Sequence, residues 1–505
     1  MASMPDERER TSPRFRSGIP GLDLVLGGGF LQGAVYIIQG VPGTGKTIFA
    51  HQVCFEHIRN GGRALYVTVL SESHARMMRN MRSLSFYDAS VVPSSLYYVS
   101  AYQILDQEGL KGLITLIRRE IERLGTNLLI FDGLTAAEQM TASNTQLKQF
   151  VHDLQSISTV MDCSMLLLTS ADDRVVLPEQ TMVEGVIELT RRVPLAQSLR
   201  YVEVKKFRGS DYLDGRHALQ ITGDGIVVYP RLEAVYGELI DCTEEPGRRV
   251  GTGVASLDRL VGGGVPEATT TLVMGPTGCG KTTLGLHFLA QSSAEEPGLH
   301  FGFYETPRRL ARKAAALGLD FAGLQAAGHL TIGWEAPTER VLDRLGNRLI
   351  EMVRAKGIRR LLVDGLDGFR IAASDADRAS RFFAALTNEL RALGCTSLFT
   401  MEVPELFGTN SHASIDGISA VAENVLLLRY VEIDASLRRL LAVLKMRDSA
   451  FDPRLQELSI SSAGIEIAAT FGRAEGLLEG QARRNIISVS HASTGPLDEK
   501  TDLRS

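Results

Sequence analysis

A chain of 505 residues with 44% hydrophobic and 22% charged side chains has room for two full hydrophobic cores, and its composition excludes wholesale disorder. Fifty-four basic residues against 59 acidic ones leave a net charge of -5, which excludes a general electrostatic attraction to nucleic acid or anionic lipid. The cysteines Cys54, Cys163, Cys242, Cys279 and Cys395 form no Cys-x-x-Cys pair, so neither a zinc site nor a disulfide framework is indicated.

The elements follow in chain order. Residues 1–16 are charged and lack the apolar core of a secretory signal, and nowhere does an apolar run reach about 18 residues. A disordered N-terminus and a cytoplasmic, reducing location are expected. From Ser17 the chain reads SGIPGLDLVLGGGFLQGAVYIIQGVPGTGKT. The apolar run Ala34 to Gln39 predicts a buried strand, and Lys46 to Asn60, with Phe49 and Val53 at helical spacing, predicts a helix. Further buried strands are predicted at Leu128 to Asp132 and Met165 to Thr169, and a late strand from Leu199 leads to Lys206 and Arg208. Residues 17–229 form the first expected domain, and the polar stretch 230–250 is the expected linker.

At Thr252 the pattern restarts as TGVASLDRLVGGGVPEATTTLVMGPTGCGKT. Gly18 matches Gly253, Asp23 matches Asp258, and Lys46 matches Lys281 at one constant offset, too long for a solenoid repeat. A second domain over 251–471 is therefore expected, with strands at Thr270 to Met274, Leu361 to Asp364, Ser397 to Thr400 and Leu440 onward. Unbroken apolar strands alternating with helices predict an α/β fold, two tandem P-loop domains each with a parallel-rich sheet flanked by helices. Residues 472–505 read as a flexible tail.

Each copy carries G-x-x-x-x-G-K-T, as Gly40 to Thr47 and Gly275 to Thr282. Such a loop turns consecutive N–H groups onto phosphate oxygens and delivers them to the positive end of the next helix. The residues expected to grip ATP are Gly40, Gly43, Thr44, Gly45, Lys46 and Thr47, with Gly275, Thr277, Gly278, Cys279, Gly280, Lys281, Thr282 and Thr283 in the second copy. The lysines would meet the β and γ phosphates, and the Thr47 and Thr282 hydroxyls would bind Mg2+. Asp132 and Asp364, each ending an apolar strand at similar spacing beyond its loop, are the expected second magnesium ligands. Thr169 and Thr400 suit either a γ-phosphate sensor or a buried strand residue.

The repeated G-[IV]-x-x-L-D-x-[LV]-x-G-G-G opener, both P-loops, both strand-end aspartates and both K-x-R pairs together resemble the RecA-like ATPases. Within them they resemble the KaiC family of double-domain circadian clock ATPases and their relatives outside clocks, over about residues 12 to 475. The resemblance implies adjacent glutamates that polarise the group attacking the γ-phosphate. Here the first copy keeps Glu72, one place late and beside Ser71, and the second keeps Glu305 before Thr306-Pro307. Each is a candidate base, Glu305 the better one, and the lost neighbours imply slower turnover. The pairs Lys206/Arg208 and Lys445/Arg447, two apart on a strand, aim two cations in one direction. By resemblance they reach a neighbouring subunit's γ-phosphate, which implies a homohexameric ring. The family's paired hydroxyl acceptors correspond to Ser419 and Ala420, so Ser419 is the candidate for autophosphorylation.

Two rival classes stay open at this level. A nucleic-acid motor on the same fold would show basic, aromatic loops, whereas Ala171 to Gln180 and Glu402 to Gly408 are acidic. A signalling scaffold would use ATP mainly to hold a ring together, a reading motivated by the weakened base of the first copy.

Overall fold

The computed structural model describes residues 13–69, 74–141, 144–170, 178–193, 198–237, 248–336, 341–373, 376–403, 421–433, 436–447, 451–462 and 464–468, with the pairs 474–475 and 483–484. By compactness the chain divides into two units. One comprises Met1–Cys242, Pro337–Ala355 and Gly368–Ala392, and the other Thr243–Ala336, Lys356–Asp367 and Leu393–Ser505.

In the first unit a nine-stranded sheet runs, edge to edge, through Gly225–Tyr229, Arg216–Thr222, Leu199–Phe207, Gly185–Arg192, Val35–Gln39, Ser164–Thr169, Leu128–Asp132, Ala64–Thr68 and Leu96–Ser100. The last six are parallel to one another, and the first three add on as an antiparallel meander. Parallel strands must bury both faces, and Val35–Gln39 and Ala64–Thr68 are buried at every residue. Side chains alternate between two cores. Tyr36, Ile38, Tyr66 and Ile130 pack with Phe49 and Val53 of helix Lys46–Arg59. Val35, Ile37, Val67 and Phe131 pack with Leu113 and Ile117 of helix Tyr102–Leu124, broken at Gly109, and with Phe150 and Leu154 of helix Asn144–Met161. That is a doubly wound, three-layer α/β unit.

The second sheet repeats the order as Gly464–Ala468, Gln456–Ser461, Ser436–Lys445, Asn424–Ile433, Thr270–Gly275, Thr396–Glu402, Arg360–Asp364, Gly298–Gly302 and Leu330–Trp334. Helix Lys281–Leu289 covers one face through Leu284, Leu286 and Phe288, which join Val273, Leu362 and Leu398 in one cluster.

Predicted and observed elements differ mainly at their ends, where hydrogen bonding rather than hydrophobicity decides. The first P-loop helix stops at Arg59 rather than Asn60, and the strand over 397–400 extends to Thr396–Glu402. Within the stretch read as a linker, Leu232–Val235 is a helical turn with Leu232 buried, and Arg249–Val250 is a short strand. Glu233 on that turn accepts a hydrogen bond from Arg378 (3.0 Å), which also bonds the fully buried Asp343 (2.5 Å), all inside the first unit. Among the described residues no helix is long and apolar enough to cross a membrane.

Phe288 is completely buried, and Trp334, the one tryptophan of the chain, lies in the same unit. Phe288→Ala is expected to cost about 3–5 kcal/mol, seen as an earlier guanidinium transition of Trp334 fluorescence.

Candidate functional site

Each P-loop leaves the carboxyl end of a central parallel strand, where α/β sheets present ligand crevices. The first runs from Gly40 into the helix that opens at Lys46, the second from Gly275 into the helix that opens at Lys281. Two glycines in the first loop are dictated by geometry. A Cβ on Gly40 would lie 2.3 Å from the Leu189 carbonyl oxygen, and Gly45 holds φ 110° just before the helix, a left-handed turn that other residues rarely adopt.

The lysines fold inward. Lys46 Nζ donates to the carbonyls of Gly40 (2.5 Å) and Val41 (3.3 Å), and Lys281 Nζ to those of Gly275 (2.6 Å) and Pro276 (2.8 Å). Burial pushes the Lys46 ammonium below its ordinary pKa, with the Asp132 carboxylate pulling the other way. Thr44 closes the first loop by donating to Val41 (2.9 Å), and the Cys279 N–H donates to Pro276 in the second. Gly43, Thr277 and Gly278 form the exposed loop tips, while Cys279 and Thr283 are buried beneath.

The predicted metal residues meet in the second site. Thr282 Oγ1 donates to Asp364 Oδ1 (3.1 Å), and Thr400 Oγ1 donates to the same oxygen (2.8 Å) while accepting from the Gly365 N–H (2.8 Å). Burial alone would raise the Asp364 carboxyl, yet neighbouring His300, Thr400 and Thr282 hold it below the usual carboxylate range. In the first site Asp132 Oδ2 instead accepts from Tyr66 (2.9 Å), and Thr169 shares a hydrogen bond with Thr135 (3.1 Å). The donors are hard oxygens, the chemistry Mg2+ prefers. Among the described residues no group of three His, Cys, Asp or Glu could cage a metal alone. An ion here would complete its shell with phosphate and water.

Glu305 sits just ahead of helix Pro307–Ala316 and accepts from Lys313 of that helix at 2.8 Å through Oε1. Glu72 and Ser419 lie outside the described residues. Lys206 donates to the Gln180 and Thr181 carbonyls (3.0 and 2.8 Å), and Arg208 joins it on Thr181 (3.1 Å), so this pair does point one way. Burial, then Arg208, pushes the Lys206 ammonium down. Lys445 donates to the Ala422 carbonyl (2.7 Å), while the Arg447 backbone N–H donates to Asn424 (3.2 Å). In both units the strand slips register one residue before the lysine, leaving Lys205 and Leu444 as the extra residues of matching β-bulges.

Several polar residues escaped the motif reading. Tyr66 and His300 each stand third on the equivalent strand and face the strand-end aspartate, a relation that aligning the two copies beyond their motifs would have exposed. Buried Glu188 accepts from Gln39 (3.0 Å), the residue before the first loop, and pairs with Lys205 (3.2 Å). No local pattern announces that chain, because its members come from three strands.

Comparison with known proteins adds the following. The family model described as "ATPase: KaiC" matches residues 15–233 and again 250–470. The circadian clock protein KaiC3 of Synechocystis sp. is 28% identical over 523 residues, spanning 98% of this chain and 100% of that protein. The circadian clock oscillator protein KaiC of Parathermosynechococcus lividus is 27% identical over 98% of this chain and 91% of its own length, and KaiC 1 of Synechocystis sp. 25% identical over 99% and 95%.

Replacing Lys281 by alanine removes a charge-assisted contact of about 1.5–3 kcal/mol, so nucleotide affinity at the second loop should fall about 10- to 150-fold. Calorimetric titration of Lys281→Ala with Mg-ATP, beside Lys46→Ala, measures this, and unchanged binding in both would disprove the phosphate grip.

Proposed function

This chain belongs to the KaiC family of ATPases, and from that premise we propose that it binds Mg-ATP at both loops and hydrolyses it within a ring of identical subunits. The carrying observation is the duplicated cradle: an inward-folded lysine at the start of a helix, with an aspartate ending the next strand but one of the same sheet. On this reading the loop N–H groups and Lys46 or Lys281 bind the β and γ phosphates. Thr47 with Asp132, and Thr282 with Asp364, would hold the magnesium ion, which neutralises charge on the β and γ oxygens.

Glu305 is the base we assign to the second site. Its Oε1 is engaged by Lys313, and Oε2 is the oxygen assigned to take the proton of the attacking water. Glu72 has the same assignment in the first site, where Ser71 stands in place of a second carboxylate. The first loop therefore also fits a second role, holding ATP chiefly for assembly. Ser419 remains our candidate acceptor for autophosphorylation in the second half.

Ring formation is supported by the cation pairs. Both follow the same bulge on equivalent strands, and both lysines rest on carbonyls of their own chain, contacts that a neighbour's γ-phosphate would replace at little cost. The acidic candidate loops leave nucleic acid without an expected place.

A general base typically contributes about 10²–10⁴-fold to rate. Glu305→Gln should therefore lower steady-state ATPase activity at least tenfold, and Glu72→Gln less. Equal rates in wild type and Glu305→Gln would refute the assignment. Phosphopeptide mass spectrometry of the same Mg-ATP incubations reads Ser419 directly.

The double replacement Lys445→Ala with Arg447→Ala should preserve Mg-ATP uptake while cutting turnover at the second site by about 10³, the lower end for a finger contributed in trans. Sedimentation in Mg-ATP provides the second readout: a protein that stays monomeric removes the basis for any contribution across subunits.

A further inference from the structure

The two sites hold their strand-end aspartates by different means. Tyr66 is fully buried in the sheet core and its hydroxyl donates to Asp132 Oδ2 at 2.9 Å. Against its ring lies that of His51, stacked at 4.6 Å with an interplanar angle of 29°. His51 is also fully buried, with Nδ1 2.7 Å from the Thr47 carbonyl oxygen and Nε2 3.1 Å from the Tyr98 hydroxyl.

The protons on this cluster follow from its acceptors. A carbonyl can only accept, so Nδ1 carries the hydrogen, Nε2 is the bare nitrogen, and Tyr98 must donate to it. Burial pushes the imidazole down to about 4, consistent with a neutral ring. One packed group of Tyr66, His51 and Tyr98 thus reaches both the carboxylate of Asp132 and the backbone of Thr47 from the side facing the sheet.

In the second unit the group is missing. The corresponding positions hold His300, Leu286 and Ile332. His300 is buried with Nε2 3.8 Å from Asp364 Oδ2, an electrostatic neighbour too far to hydrogen-bond, and neither ring nitrogen has a hydrogen-bond partner. The hydrogen bonds to Asp364 come instead from Thr282 and Thr400, and Thr282 is also the hydroxyl expected at the ion. A Thr282 oxygen bound to an ion can still donate its proton to Asp364, so that aspartate is held through the P-loop hydroxyl itself, whereas Asp132 is held by Tyr66 from within the sheet.

We propose that Tyr66, braced by His51 and Tyr98, is a positioning residue that presets Asp132 for a divalent cation at the first nucleotide site, a device absent from the second. The proposal rests on the Mg-ATP reading above. Partners of a metal-binding carboxylate typically change metal affinity about 10- to 100-fold when removed.

The test uses the full chain carrying Asp364→Asn to silence the second metal site. It is saturated with ADP and titrated with Mn2+ under electron paramagnetic resonance. Tyr66→Phe removes one hydroxyl and keeps the ring, so Mn2+ affinity should weaken about 10- to 100-fold. Metal-free binding of a fluorescent ADP analogue should stay within twofold and the thermal midpoint near that of the parent. Tyr98→Phe, which strips the donor from His51 Nε2, should weaken Mn2+ in the same direction by less. Unchanged Mn2+ affinity in Tyr66→Phe overturns the proposal, as does a matching loss of metal-free ADP binding, which would assign Tyr66 to general integrity of the site. If the parent takes up no Mn2+ at all, the Mg-ATP reading of the first site falls first.

Discussion

The first turn of an α-helix leaves its N–H groups without partners inside the helix, and the rest of each half is arranged to aim one such turn outward. The helices opening at Lys46 and Lys281 each rise from a glycine at φ 110°, which reverses the chain without a side chain in the way. Buried strands on either side hold that turn at the carboxyl edge of the sheet, where the strand-end aspartates also emerge. The inward lysines satisfy loop carbonyls that would otherwise face the crevice. A site of this kind is mostly backbone, which is why two halves that differ at most side chains can keep the same cradle.

Duplication has left the cradles alike and their surroundings different. Around the first, buried Gln39 and Glu188 and the exposed Lys205 form a polar chain linking the P-loop strand to the strand that carries Lys206. Met274, Leu427 and Leu444 occupy the matching positions in the second unit. A buried carboxylate is tolerable only when paired and hydrogen-bonded, and Glu188 meets that condition through Gln39 and Lys205. That polar chain has no counterpart beside the second site. The aspartates show the same divergence, with an aromatic hydroxyl behind Asp132 and threonines beside Asp364.

The matching bulges before Lys206 and Lys445 are a structural counterpart of the repeated K-x-R pattern. An extra residue in one strand bends it and resets which way the following side chains point. That the slip recurs at equivalent pairs, Val186 with Ile187 and Val425 with Leu426, argues that the local direction of the cations is built into the fold rather than left to loop accident.

Much of this was open to reading from the residues. The strands ending at Gln39, Asp132 and Asp364 and the helices opening at Lys46 and Lys281 are short-range objects, written in runs of apolar residues and in glycine spacing. The order of nine strands, the paired cores on the two faces of the first sheet, and the bonds Tyr66 to Asp132, Thr400 to Asp364 and Lys313 to Glu305 needed the fold. By itself the sequence determined the duplication, the α/β class and the phosphate-binding loops, because each depends on residues close together in the chain. Tertiary structure alone decided what stands behind each aspartate, because the Tyr66–Asp132 contact joins residues 66 positions apart and is set by which strands become neighbours.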